Sequence, residues 1–303
     1  MSGPTIVVGA GFLGRSIADA VVRSGGEVVL VARRPGPHPV GVRVVVDDLG
    51  DGETLRSVIG PGSTVVFAAG TSVPSVDERD PIASTRALAP LVATLQAARH
   101  VPGSSLLFVS SGGAVYGEVE SLPISEDHPL RPRSAYGAAK AAAEAYVGYF
   151  ARRYGLAATS MRCGNVYGPG QRSGRGQGLV GEVLDAACNG GTIEVWGDGT
   201  CRRDYIHVAD VARTAVRLIG RNDLPPAINV GSGQGTTVLE VIHTVGEVIG
   251  RPVRWTSCPE RPFDVHDVVL DIRRLSDLTG VRPVGLADGV LSTWLASATE
   301  TVA

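Results

Sequence analysis

The segment from Thr5 to Arg34, TIVVGAGFLGRSIADAVVRSGGEVVLVARR, limits what this chain can fold into more than any other stretch. Thr5 to Val8 is a short apolar strand, and Gly9, Gly11 and Gly14 follow at once. Arg15 to Ser24 has helical spacing, and EVVLVA resumes a buried strand. A strand that runs through a glycine turn into a helix and then a second buried strand describes a parallel crossover unit. The alternation continues through VRVVVDD, STVVFAAG, the helical IASTRALAPLVATLQAARH and the strand SSLLFVSS. This predicts an α/β fold built on a doubly wound parallel sheet of the Rossmann kind. Ligands on such sheets lie beyond the carboxyl ends of the strands. Glycine, at 40 residues, is in keeping with many tight turns.

Three glycines in G-x-G-x-x-G spacing mean little alone, but here they leave a strand and open a helix, the context the motif requires. Gly9 permits the turn, Gly11 lets a pyrophosphate approach the backbone, and Gly14 lets helix and strand pack closely. A dinucleotide cofactor is therefore expected against Gly9, Gly11, Phe12, Leu13 and Gly14. A site specific for NAD usually ends its second strand with Asp or Glu for the ribose 2′-hydroxyl. This chain has Ala32-Arg33-Arg34 there. Guanidinium groups suit a 2′-phosphate and a carboxylate repels one, so NADP(H) is preferred, with NAD(H) as the alternative.

The chain has 303 residues and a formal net charge of −2, which gives no bulk electrostatic case for a nucleic-acid or acidic-membrane partner. No apolar run approaches the roughly 18 residues that cross a bilayer. The amino-terminal apolar run is better explained as a strand than as a leader, so a cytoplasmic location is expected. Cys163, Cys188, Cys201 and Cys258 are scattered without metal-ligand spacing, and no His/Cys/Asp/Glu cluster suggests a metal.

Lys140 is the only lysine in the chain; the other 27 of the 28 basic residues are arginine. It stands in SAYGAAKAAAEAYVGYF, a segment of helical spacing, four residues after Tyr136. On a helix the two share a face one turn apart. A free phenol has a pKa of about 10 and is a poor base at neutral pH. A neighbouring ammonium, and a positively charged nicotinamide, favour its phenolate. Tyr136 can then exchange a proton with a substrate hydroxyl while hydride moves to or from the cofactor.

The motifs VVGAGFLG, VVVDDLGD, VVFAAG, FVSSGGAVYG, YGAAK, MRCGNVYGPGQ and IEVWGDGTCRRDYIHVADVA, in that order, resemble the extended short-chain dehydrogenase/reductase family. The resemblance covers nearly the whole chain and is to the branch of nucleotide-sugar epimerases, dehydratases and ketoreductases. It implies that Tyr136 is the catalytic acid/base and that Lys140 lowers its pKa and bonds the nicotinamide ribose. It also implies an adenine contact at Asp48 with Leu49, and a cofactor-flanking loop at Ala68, Ala69 and Gly70. Two positions depart from the pattern. Val8 stands where the family usually has another glycine. The family's catalytic Ser/Thr normally lies four residues before the Tyr of VYG, which here is Gly112; counting forward from the strand LLFVSS gives Ser111 instead. Ser111 is favoured, because its hydroxyl can bond both a substrate oxygen and Tyr136.

From Asn165 onward the pattern becomes richer in Gly and Arg, as suits a loop-built pocket for an anion. By resemblance Asn165 and Arg203 hold the diphosphate and sugar of the substrate, and Arg261 with Asp264 closes on the diphosphate and nucleoside ribose. Gln177 is a further lining residue. Arginine forks are well suited to a diphosphate; the competing reading pairs Arg203 with Asp204 and leaves Arg261 as surface charge. His207 is expected to be a core histidine, and Asp210 to cap the helix VARTAVRLI. The expected division is a dinucleotide-binding domain of 1–165 plus about 203–230, and a smaller, mixed nucleotide-sugar domain of about 166–202 plus 231–303.

The favoured reading is an NADPH-dependent 4-ketoreductase acting at C4 of a TDP- or UDP-hexose. A UDP-glucose-type 4-epimerase with retained NAD uses the same parts. A non-catalytic NADP(H) sensor is the distant third reading, disfavoured by the Tyr-Lys pair. The helix of Tyr136 and that of Ala87 to Arg99 resemble the family's dimer seam, so a homodimer is expected.

Overall fold

The computed structural model describes residues 3–49, 52–70, 80–171, 178–260 and 265–300. Strand β1 (Thr5–Val8) runs into helix α1 (Phe12–Arg23), β2 (Val28–Ala32) and β3 (Arg43–Val46). Next come α2 (Glu53–Val58), β4 (Thr64–Phe67), α3 (Pro81–Thr85), α4 (Leu88–Ala98) and β5 (Ser105–Ser111). A one-turn helix α5 (Gly112–Val115) leads to the long α6 (Ala135–Tyr154) and β6 (Ala157–Cys163). The remainder is β7 (Asn165–Tyr167), α7 (Leu179–Asn189), β8 (Thr192–Trp196), β9 (Arg202–His207) and α8 (Val208–Leu218). Then follow β10 (Ala227–Val230), β11 (Gly235–Thr237), α9 (Val238–Ile249), β12 (Arg254–Cys258), α10 (Arg273–Thr279) and α11 (Leu286–Glu300).

Seven strands form one sheet in the order β10-β6-β5-β4-β1-β2-β3, and every neighbouring pair is parallel. The order reverses direction between β1 and β4, so the crevice of a doubly wound sheet opens there. Both faces are covered, which is why its central strands are apolar throughout rather than alternating. Ile6, Val8, Val65, Phe67, Leu106 and Phe108 pack under α4 and α6 on one side. Val7, Leu30, Val66, Leu107 and Val109 pack under α1 and α8 on the other. Each fully buried Phe or Leu contributes roughly 1.5–3 kcal/mol relative to exposure.

Two small sheets, β11-β9-β7 and β12-β8, complete the fold. Their core joins Val180, Val183, Ile193, Val195, Val241 and Val245 with Tyr167 and Tyr205. Asp204, on β9, ties this part to the rest. Its buried carboxylate accepts from the Ser232 backbone N at 2.6 Å and hydroxyl at 2.8 Å, and from Gly233 N and Leu270 N, both at 3.1 Å. Burial raises its pKa and these donors oppose the rise. The helix over VARTAVRLI starts earlier than expected: His207, not Asp210, is the N-cap, its ring accepting from Ala209 N at 3.3 Å. Asp210 falls inside α8, fully buried, where it pairs with Arg213 and accepts from Val284 N at 2.9 Å.

Candidate active site

The turn after β1 shows why its glycines are needed. Gly9 has φ of 108°, and a Cβ there would lie 2.7 Å from the backbone of Ala69. Only the missing side chain lets the loop after β4, Ala68 to Gly70, close against the first turn. A Cβ on Gly14 would lie 1.8 Å from the Gly9 carbonyl oxygen, so α1 packs directly on the turn. Gly11 meets nothing within 4 Å. It caps α1, with Phe12 and Leu13 opening the helix, so the space beside the helix N-terminus is open, and a helix N-terminus favours an anion. Arg33 and Arg34 follow β2, exposed and without a hydrogen-bond or ion-pair partner among the described residues. Asp48 is exposed, beside buried Leu49 in the left-handed region at φ of 65°; the preceding Asp47 accepts from Leu49 N and the Thr54 hydroxyl.

Helix α6 begins at a Ser134 cap, whose hydroxyl accepts from Gly137 N at 3.0 Å. A Cβ on Gly137 would lie 2.3 Å from the Ala114 carbonyl oxygen, so the first turn of α6, with Tyr136, presses onto the loop after Ser111. The Lys140 ammonium lies 5.9 Å from the centre of the Tyr136 ring and 5.0 Å from that of Phe108. It donates to the Val109 carbonyl at 2.8 Å. Burial pulls the Lys140 pKa down to about 8. A small cavity of about 70 Å³ opens beside the pair, lined by Phe67, Ala69, Gly70, Phe108, Tyr136 and Lys140 among others.

Packing excludes a side chain at the family's usual hydroxyl position. A Cβ on Gly112 would lie 2.9 Å from the Arg162 carbonyl oxygen and 2.8 Å from the Leu270 side chain. Ser111, half-buried at the end of β5, is the hydroxyl-bearing residue at this point. A Cβ on Gly113 would lie 3.0 Å from Asn165 Oδ1 and 4.0 Å from Ser111 Oγ, so both side chains border Gly113. Arg203 does not pair with Asp204; its guanidinium donates to the carbonyls of His266 at 2.9 Å and Arg202 at 3.1 Å. Gln177, Arg261 and Asp264 lie outside the described residues. His207 is buried, packs edge-on to Tyr167 and contacts the Ser292 hydroxyl at 3.2 Å. Burial lowers its pKa, as fits a neutral core histidine.

Behind the pair lies a polar network that sequence reasoning missed. Glu144, one turn beyond Lys140, is gripped by Arg162 on β6, with Nη2 to Oε2 at 2.8 Å and Nε to the two oxygens at 3.0 and 3.2 Å. Their side chains are only 7% and 9% exposed. Ser110 donates to Glu144 at 2.5 Å. Arg162 also donates to the Tyr116 hydroxyl at 2.9 Å and the Glu126 carbonyl at 2.8 Å. Tyr116 donates to Asn229 at 2.6 Å, and burial pushes its pKa up to about 12. The available signals were a carboxylate continuing the Tyr136-Lys140 face and an arginine inside an apolar strand.

A glycine-turn crevice, a Tyr-Lys pair on one helix and a serine at the end of the neighbouring strand together define an enzyme of the extended short-chain dehydrogenase/reductase type. The chain belongs to the NAD dependent epimerase/dehydratase family, whose model matches residues 5–231. It is 31% identical over 302 residues to the UDP-glucose 4-epimerase of Mycolicibacterium smegmatis, covering 95% of this chain and 96% of that one. It is also 31% identical over 186 residues, 61% of this chain and 58% of that one, to the dTDP-4-dehydro-6-deoxyglucose reductase of Escherichia coli. The UDP-glucose 4-epimerase of Thermus thermophilus, solved with NAD, superposes with a TM-score of 0.88 at 32% identity, over 96% of this chain and 98% of that one. No described helix is long and apolar enough to cross a membrane.

Proposed function

We propose that this enzyme is an NADPH-dependent 4-ketoreductase of a nucleoside-diphosphate 4-keto-hexose. The observation that carries the reading is the end of β2, where two exposed arginines, unpaired among the described residues, follow Ala32 in the chain in place of an Asp or Glu. They suit a 2′-phosphate, and an exchangeable reduced cofactor suits net reduction. When bound, the nicotinamide supplies the hydride that adds to C4. Ser111 donates a hydrogen bond to the 4-keto oxygen, and Tyr136 delivers the proton to the developing alkoxide. The Lys140 ammonium offsets the negative charge then left on the phenol, which regains its proton from solvent. Asn165 and Arg203, with Gln177, Arg261 and Asp264, hold the sugar and diphosphate. In this reading residues 1–165 plus about 203–230 serve the cofactor, and the remainder serves the substrate.

A second reading, a 4-epimerase with retained NAD, is favoured by the near full-length match to a UDP-glucose 4-epimerase. The two separate when the enzyme is offered UDP-glucose, UDP-galactose and a TDP-4-keto-6-deoxyhexose, with and without NADPH. Reduction of the keto sugar only with NADPH is the expected result. Interconversion of the first two without added reductant overturns the reductase. Dissociation constants supply an independent check: NADPH is expected to bind tighter than NADH, and Arg33→Ala with Arg34→Ala to remove the difference.

The enzyme is further proposed to be a homodimer paired through α4 and α6. Tyr146 and Tyr149 of α6 are each 45% exposed, and Tyr154 37%, a large aromatic surface for one helix.

A further inference from the structure

We propose that Glu144 is a positioning residue of the catalytic pair: clamped by Arg162 and Ser110 one turn beyond Lys140, its carboxylate is the fixed countercharge that keeps the Lys140 ammonium protonated where the enzyme works. The inference rests on Lys140 acting as an ammonium beside Tyr136.

Tyr136, Lys140 and Glu144 recur every four residues on α6, so all three lie on one face. Lys140 makes no direct ion pair among the described residues; its bond is to the neutral Val109 carbonyl. Among the described residues, those that line the cavity beside Lys140 from the other elements are uncharged. They include Phe67 of β4 and Ala69 just after it, Ser84 of α3, Leu91 of α4 and Phe108 of β5; the Val109 carbonyl of β5 adds its hydrogen bond. Cys163 on β6 faces the ammonium too, but burial pushes its thiol up to about 12, so it carries no charge at neutral pH. Arg162, also on β6, is occupied with Glu144, Tyr116 and Glu126. Among the described residues the anion left to Lys140 is therefore Glu144, which acts against the burial that lowers the Lys140 pKa to about 8.

The clamp is what makes this countercharge dependable. Three bonds from Arg162 and one from Ser110 stop the carboxylate from turning away. An opposite charge held near a buried ammonium shifts its titration by about one unit or more. Loss of the Glu144 charge should lower the Lys140 midpoint, and an unbalanced Arg162 acts in the same direction.

The single lysine permits a direct test. Protein labelled with 15N at lysine Nζ gives one side-chain ammonium resonance, whose titration reads Lys140 without any substrate. The expected result is a wild-type midpoint near 8, and a midpoint lower by about one unit in Glu144→Gln. If that variant fails to fold, the double variant Glu144→Gln with Arg162→Met, which removes both charges of the clamped pair together, is titrated instead, with a fall in the midpoint again expected. A midpoint unchanged in a folded variant overturns the inference. Because the readout is a protonation state and not turnover, the proposal fails or stands independently of which sugar reaction the enzyme performs.

Discussion

Lysine and arginine carry the same charge in different shapes, and the surroundings of Lys140 distinguish them. Its ammonium reaches the Val109 carbonyl between Phe108 and the Tyr136 ring, in a space bounded by Ala139 and Ala143. A planar guanidinium is wider than an ammonium and is not interchangeable with it in so confined a place. Lys140→Arg is expected to lower turnover by about a hundredfold or more while leaving the unfolding midpoint close to wild type. An active variant would show that charge alone suffices. Ser111→Ala is expected to reduce kcat by about tenfold to a hundredfold with little change in cofactor affinity; unchanged turnover would remove Ser111 from the reaction. The Tyr136-Lys140 pair was legible in the sequence because four-residue spacing on a helix is a local property. The choice between Ser111 and Gly112 was open there because it depends on Leu270 and the Arg162 carbonyl, which only the folded chain brings near. The Glu144-Arg162 pair was illegible for the same reason: it joins a helix to a strand behind it.

At the scale of elements, the alternation of strands and helices predicts the large sheet well, since apolar runs between glycine turns leave few other arrangements. The start of α8 shows where such reading stops. Asp is a good cap by type, but extended backbone at His207 and its ring nitrogen begin the helix earlier, and Asp210 goes into the interior. Asp204 has an equally hidden role: its four hydrogen bonds join β9 to the turn after β10 and to Leu270. Asp204→Ala strands three buried or half-buried backbone N–H groups, and is expected to lower unfolding stability by about 3 kcal/mol or more. Urea denaturation reads this as a lower midpoint at unchanged slope. A midpoint equal to wild type would show that water replaces the carboxylate.

At the scale of the whole molecule, the aromatic face of α6 predicts the assembly. Sedimentation of the wild type is expected to give a dimer, and Tyr149→Glu a monomer, since a carboxylate buried at a seam lacks a partner. A wild-type monomer at micromolar concentration would remove the proposed seam. The sheet order carries a further consequence, for the way the chain is assembled as it is made. β6 pairs on one side with β5 and on the other with β10, and everything from β7 to α8 is synthesised between β6 and β10. Until β10 emerges from the ribosome, β6 is an unprotected edge carrying Arg162, and Asn229, which receives the Tyr116 hydroxyl, does not yet exist. The glycine turn and the Tyr-Lys helix are by then complete. They are thus in place well before the buried charges behind Lys140 are sealed from water.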